Sequence, residues 1–154
     1  MKILIATDGS DASRSVIEAA CGTIADPKNT TVKIISAVEP VTPMAGEPFA
    51  ISAEYYGEIA NEMSKQAKVS VEQAVENLKA GCPNLNEVSS EVLRGGAAQA
   101  IVEAAKKWGA DLIIVGSHGY GFWSRALLGS VSNSVAHHAP CSVLIVRGKS
   151  VAKS

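Results

Sequence analysis

No apolar run in this sequence approaches the roughly 18 residues that a bilayer span requires, so no membrane-crossing helix is expected. The opening run Met1-Lys2-Ile3-Leu4-Ile5-Ala6 is cut short at Asp8, too early for a secretory core of about 7–15 apolar residues. There is no basic excess either. Lys and Arg number 14 against 15 Asp and Glu, for a net charge of -1. Nucleic-acid binding usually leaves an electrostatic footprint of Lys and Arg, so no nucleic-acid partner is expected. Cysteine is scarce: Cys21, Cys82 and Cys141 form no CxxC and lie far apart along the chain. That odd, scattered count argues against a disulfide framework or a structural zinc site, and for free thiols in a reducing cytoplasm. Gly at 13 and Pro at 6 exclude collagen-like and low-complexity chains, and no internal repeat is visible.

What is present is a globular composition. Hydrophobic residues make up 47% of 154 residues, enough for one domain with a real core and too much for disorder. Residues 1–147 read as a single domain, and the polar segment 148–154 as a flexible tail.

Short apolar runs alternate with helical patterns. Ile3-Leu4-Ile5-Ala6 is too short for a helix and reads as a strand. Val16, Ile17, Ala20, Cys21 and Ile24 recur at helical spacing, with Ser10 and Asp11 placed to serve the unpaired N–H groups at the helix start. Residues 32–38 form a second strand. Pro40, Pro43, Gly46, Pro48 and Gly57 break any pattern over 39–57, which reads as a long connection, either a lid or a plain surface loop. Ala60, Met63, Ala67, Val71, Ala74 and Leu78 mark a long amphipathic helix stopped by Gly81 and Pro83. A weaker strand over 87–93 precedes a helix ending at Trp108 with Gly109 as its cap. Residues 111–115 are apolar on both faces, as a central parallel strand is. A helix over 130–138 and a strand over 143–146 follow. Such alternation predicts a parallel sheet covered by helices on both faces.

In such a sheet, ligands bind beyond the carboxyl ends of strands, where strand order reverses. Two strand ends carry candidate residues: Ala6-Thr7-Asp8-Gly9-Ser10 and Gly116-Ser117-His118-Gly119. The second continues through nine residues to Gly129 and Ser130, giving G-x2-G-x9-G-S. Glycines let backbone N–H groups approach an anion, and a helix opening at Ser130 adds its N-terminal N–H groups and positive dipole end. The Ser130 and Ser132 hydroxyls are further candidate donors. The pattern suits a polyphosphate.

These residues, with Val38 at the end of the second strand and Leu127-Leu128-Gly129-Ser130-Val131-Ser132, resemble the nucleotide-binding universal stress proteins, over essentially the whole chain. The resemblance implies an open five-stranded parallel α/β sheet of order 3-2-1-4-5, Rossmann-like and of the adenine nucleotide alpha hydrolase kind. It implies ATP in the crevice, with AMP or ADP as alternatives, and homodimers paired through Val143-Leu144-Ile145-Val146. It also implies a cytoplasmic stress or signalling role with an unknown protein partner and little catalysis. By position, Thr7 and Val38 would contact the adenosine, and Ala6 and Ser117 would belong to the same nucleotide site. Asp8 would lie near the ribose or a phosphate-bound Mg2+ or Mn2+. Gly116, Gly119, Gly129, Ser130, Val131 and Ser132 would line the phosphates.

Several readings stay open. Asp8 is a nucleotide contact or a helix capper. His118 is a phosphate-side donor or a turn residue. Arg125 reaches a γ-phosphate or solvent. Phe122 and Trp123 form a partner surface or fold back. His137 and His138 point apart on a helix and make a poor metal pair. Gly148-Lys149-Ser150 is no P-loop, because Val143 holds the first glycine position. Rival functions are an ATPase or AMP-forming enzyme, and an adaptor with a vestigial site.

Overall fold

Ile3, Leu4 and Ile5 are fully buried in the first strand, β1 (Lys2–Ala6), and they divide between two cores. Alternate side chains of a strand point to opposite faces. Ile3 and Ile5 therefore enter one core and Leu4 the other. Complete burial of each such side chain is worth about 1.5–3 kcal/mol. The structure is a computed structural model that describes residues 1–41, 53–117 and 128–147.

The remaining elements are α1 (Asp11–Thr23), a 3-10 turn at Pro27–Asn29, β2 (Thr31–Val38), α2 (Ala53–Gly81) and β3 (Glu87–Arg94). Then come α3 (Ala97–Trp108), β4 (Leu112–Gly116), α4 (Ser130–His138) and β5 (Ser142–Val146). The strands pair in the order β3-β2-β1-β4-β5, all parallel. Ile5 lies opposite Ile34 of β2 and Ile114 of β4, which aligns the apolar alternation across the centre of the sheet.

Helices α1 and α2 cover one face. Val16, Ile17 and Ala20 of α1, with Val71, Ala74 and Leu78 of α2, pack on Ile3, Ile5, Val32, Ile34 and Ile114. Helices α3 and α4 cover the other through Ile101, Ala105 and Val135, packed on Leu4, Ile35, Ile113 and Val115. Gly109 ends α3 at φ 70°, and the N–H of Ala110 donates to Ala105 O at 2.9 Å. This six-residue closure is the reason a residue without Cβ stands there.

Three expectations need correction. The connection expected over 39–57 is shorter, because α2 already begins at Ala53 and runs through Gly57. A Cβ on Gly57 would meet no atom within 4 Å, so the glycine marks no close approach. Its helix penalty of about 1 kcal/mol is small within a 29-residue helix. Second, Met63 is exposed; the apolar stripe of α2 is buried only from Ala67 onward. Third, the cysteines are free thiols as expected, yet Cys21 and Cys82, far apart along the chain, pack into one cluster on the α1–α2 face.

Candidate functional site

Because β1 pairs with β2 on one side and β4 on the other, the chain leaves the carboxyl ends of β1 and β4 toward opposite faces of the sheet. This reversal opens a crevice at those ends. Two helix N-termini, those of α1 and α4, start beside it.

At the β1 exit, the Thr7 N–H donates to Ile35 O at 2.9 Å, extending the β1–β2 ladder by one bond. The buried Thr7 hydroxyl accepts the N–H of Gly9 at 3.1 Å. Gly9 has φ 77°, which a side chain disfavours, and a Cβ there would collide with Ser70 of α2. The turn is thus pressed against α2 from behind.

Asp8 closes the same turn. Its Oδ1 accepts the N–H of Ser10 at 3.0 Å, the Ser10 hydroxyl at 2.6 Å and the Ser13 hydroxyl at 2.8 Å. Partial burial pushes this carboxyl's pKa up, but the bonds from Ser10 and Ser13 together outweigh it, and the net shift is downward. The capping role expected of Ser10 differs in the structure: its side chain makes no cap bond to α1 and donates instead to Asp8, whose carboxylate adds negative charge beside the helix start. A carboxylate there suits the helix dipole. The N-terminus of α1 is therefore already supplied with an anion.

The N-terminus of α4 is built differently. The Ser117 N–H donates to Val146 O at 2.7 Å, extending β4 along β5. The Ser117 carbonyl accepts the N–H of Gly129 at 2.7 Å, which holds the start of α4 at the exit of β4. The buried Ser132 hydroxyl lies 3.1 Å from Ser117 O and 3.0 Å from Gly129 O. Ser132 does not offer its hydroxyl outward as expected; it braces the junction instead. Gly129, at φ −62° and ψ 155°, brings no side-chain acceptor to the first turn. The N–H groups of Ser130, Val131 and Ser132 have no partner within the helix. Ser130 and Val131 are exposed there.

Val38 is half-buried at the end of β2, and its carbonyl accepts the Gly95 N–H at 3.0 Å. Ala6, Thr7 and Asp8 at the β1 end, Gly116 and Ser117 at the β4 end, and Gly129 to Ser132 at the α4 start share the carboxyl side of the sheet. Gly116 closes β4 as its last residue. His118, Gly119 and Arg125, with Phe122 and Trp123, lie outside the described residues, as does the segment 148–154. His138 Nδ1 lies 2.8 Å from Ser134 O, a bond along its own helix. Among the described residues no group of three His, Cys, Asp or Glu could hold a metal ion. Ser13 and Ser70 were missed as contributors. Ser13 stands five positions after Asp8, a spacing that a helix start could have suggested, whereas Ser70 reaches Gly9 only through tertiary packing.

The sequence profile of the universal stress protein family matches residues 1–147. The chain belongs to the universal stress protein family. A universal stress protein of Methanocaldococcus jannaschii is 36% identical over 146 residues, covering 95% of this chain and 81% of that one. Among solved structures, universal stress protein UspA from Lactobacillus plantarum superposes with a TM-score of 0.79 at 23% identity, covering 96% of this chain and 97% of its own, and shares the fold. A universal stress protein in complex with cAMP has a TM-score of 0.67 at 27% identity, with 96% of this chain and 97% of that one covered. Among the described residues of this universal stress protein, no helix is long and apolar enough to cross a membrane.

Proposed function

We propose that this universal stress protein binds an adenine nucleotide, ATP in the first place, in the crevice between the ends of β1 and β4. The observation that carries the reading is the asymmetry of the two helix starts. That of α1 holds the Asp8 carboxylate beside it, while that of α4 is fixed to β4 by the Gly129–Ser117 bond and has no acidic residue in its first turn. A phosphate group is the natural occupant of such a helix start. The 27% identical relative solved with cAMP supports a nucleotide as the ligand class. Thr7 and Val38 flank the adenosine end, and Gly129, Ser130 and Val131 the phosphate end. Ser132 holds Gly129 and Ser117 in place.

Asp8 is held ionised by its lowered pKa and would repel a bare triphosphate. Mg2+ or Mn2+ fits here as an ion carried by the phosphates, with the Asp8 carboxylate near it. Hydrolysis is slow or absent in this reading. Asp8 is held in its turn by three bonds to Oδ1, and the nucleotide-binding role assigned to it needs no proton transfer. The protein works as a cytoplasmic stress or signalling module, with its β5 strands paired across a two-fold axis. β5 is the edge strand of the sheet, next to β4. Titration calorimetry with Mg-ATP tests the reading: saturable binding is expected, and folded protein that gives no heat at millimolar nucleotide refutes it.

A further inference from the structure

Cys21 projects from α1 toward the end of α2. Its Sγ lies 4.0 Å from the carbonyl of Leu78, the same carbonyl that accepts the Cys82 N–H at 2.8 Å. A Cβ built on Gly81, the neighbour of Cys82, would come within 3.3 Å of that Sγ. Both residues belong to one packed group on the α1–α2 face, Cys82 buried and Cys21 half-buried at its edge. We propose that Cys21 and Cys82 form a reversible intrachain disulfide that fastens α1 to the last turn of α2. The third thiol, Cys141, packs with the core on the opposite face and is separated from this pair by the sheet.

The oxidant class is a low-molecular-weight disulfide. Two S–H bonds break and one S–S bond forms. The two electrons and two protons pass to the small disulfide, whose own S–S bond is cleaved to two thiols. Exchange begins at Cys21, which lines an open groove with Arg14, Glu18, Gln73 and Asn77. The resulting mixed disulfide is then resolved by Cys82 behind it. Burial first, and then the closeness of Cys82, push the Cys21 thiol up to about 11. The thiolate is the attacking species, so exchange is slow at neutral pH and quickens as pH rises.

The test is to oxidise the full chain with excess oxidised glutathione at pH 8.5, block free thiols, digest with trypsin and weigh the fragments. The three cysteines fall in separate fragments, 15–28, 80–94 and 126–147. The expected product is a 15–28 to 80–94 link lacking two hydrogen atoms, reversed by dithiothreitol. Its melting temperature should stand roughly 5–10 °C above that of the reduced protein. Cys141→Ser should keep both the link and the shift, and Cys21→Ser should abolish both. Unlinked thiols, separate glutathione adducts on Cys21 and Cys82, or a link to Cys141 would each overturn the proposal. A correct link without a rise in melting temperature would overturn the fastening.

Discussion

The backbone N–H of Gly129 donates a 2.7 Å hydrogen bond to the carbonyl of Ser117, joining the start of α4 to the exit of β4. The bond spans the ten-residue segment 118–127 and leaves the first turn of α4 facing the crevice end of the sheet. Its backbone angles, φ −62° and ψ 155°, are open to any residue. The glycine is therefore not required for conformation, which makes its replacement informative.

Gly129→Asp separates binding from folding. Aspartate is a favoured helix N-cap, so the melting temperature should hold or rise. Its carboxylate would compete with phosphate for the same N–H groups, and like charges brought together cost several kcal/mol. Affinity for Mg-ATP should fall at least about tenfold, a loss of roughly 1.4 kcal/mol or more. Calorimetry beside a thermal melt reads both quantities.

Gly9→Ala should destabilise the protein by about 1–3 kcal/mol, the range for a side chain forced into a positive-φ conformation. Part of that cost is the collision with Ser70, whose hydroxyl is held by a 3.0 Å bond to Gln66 O. In a Ser70→Ala background the same substitution should cost less. Urea unfolding of the two singles and the double variant gives the coupling.

Asp8 sets a pH dependence. An unfolded aspartate titrates near 3.8, and the folded carboxyl titrates lower. Its contribution to stability is complete above the unfolded value and is lost as pH falls through the folded one. Wild-type stability should therefore drop more steeply below about pH 4 than that of Asp8→Asn. At neutral pH, Asp8→Ala should cost about 1–3 kcal/mol, the range for hydrogen bonds made to a charged group. Denaturant midpoints measured from pH 3 to pH 7 show both effects.

Ser132→Ala removes a buried hydroxyl shared between Ser117 O and Gly129 O. A loss of about 1 kcal/mol is expected. Amide exchange should quicken at the start of α4 and be unchanged in β1, where Ser132 makes no hydrogen bond.

The alternation of strands and helices was legible from short apolar runs such as Ile3-Leu4-Ile5 and from Ile113 and Ile114, apolar on both faces, whereas the order of the strands rested on the family resemblance. Helix α3 was legible from its spacing and from Gly109. The start of α2 was not, because Gly57 looks like a breaker in isolation and only the length of the helix around it makes the residue tolerable. Strand ends named the site residues, but the sequence did not separate supporting from lining roles. Ser132 looked like a ligand donor, and only its burial and two carbonyl neighbours show that it braces the junction. The nearness of Cys21 and Cys82 depends on how α1 packs beside α2, which no local pattern encodes.

Amide chemical shifts recorded while Mg-ATP is added to the full chain test the nucleotide site most directly. Saturable shifts are expected at Thr7, Asp8, Gly9, Val38 and Gly129 to Ser132. A hollow of about 520 Å³ lies elsewhere, between Lys33, Glu91, Arg94 and Trp108. Shifts confined to that hollow, or none at millimolar nucleotide, would contradict the account.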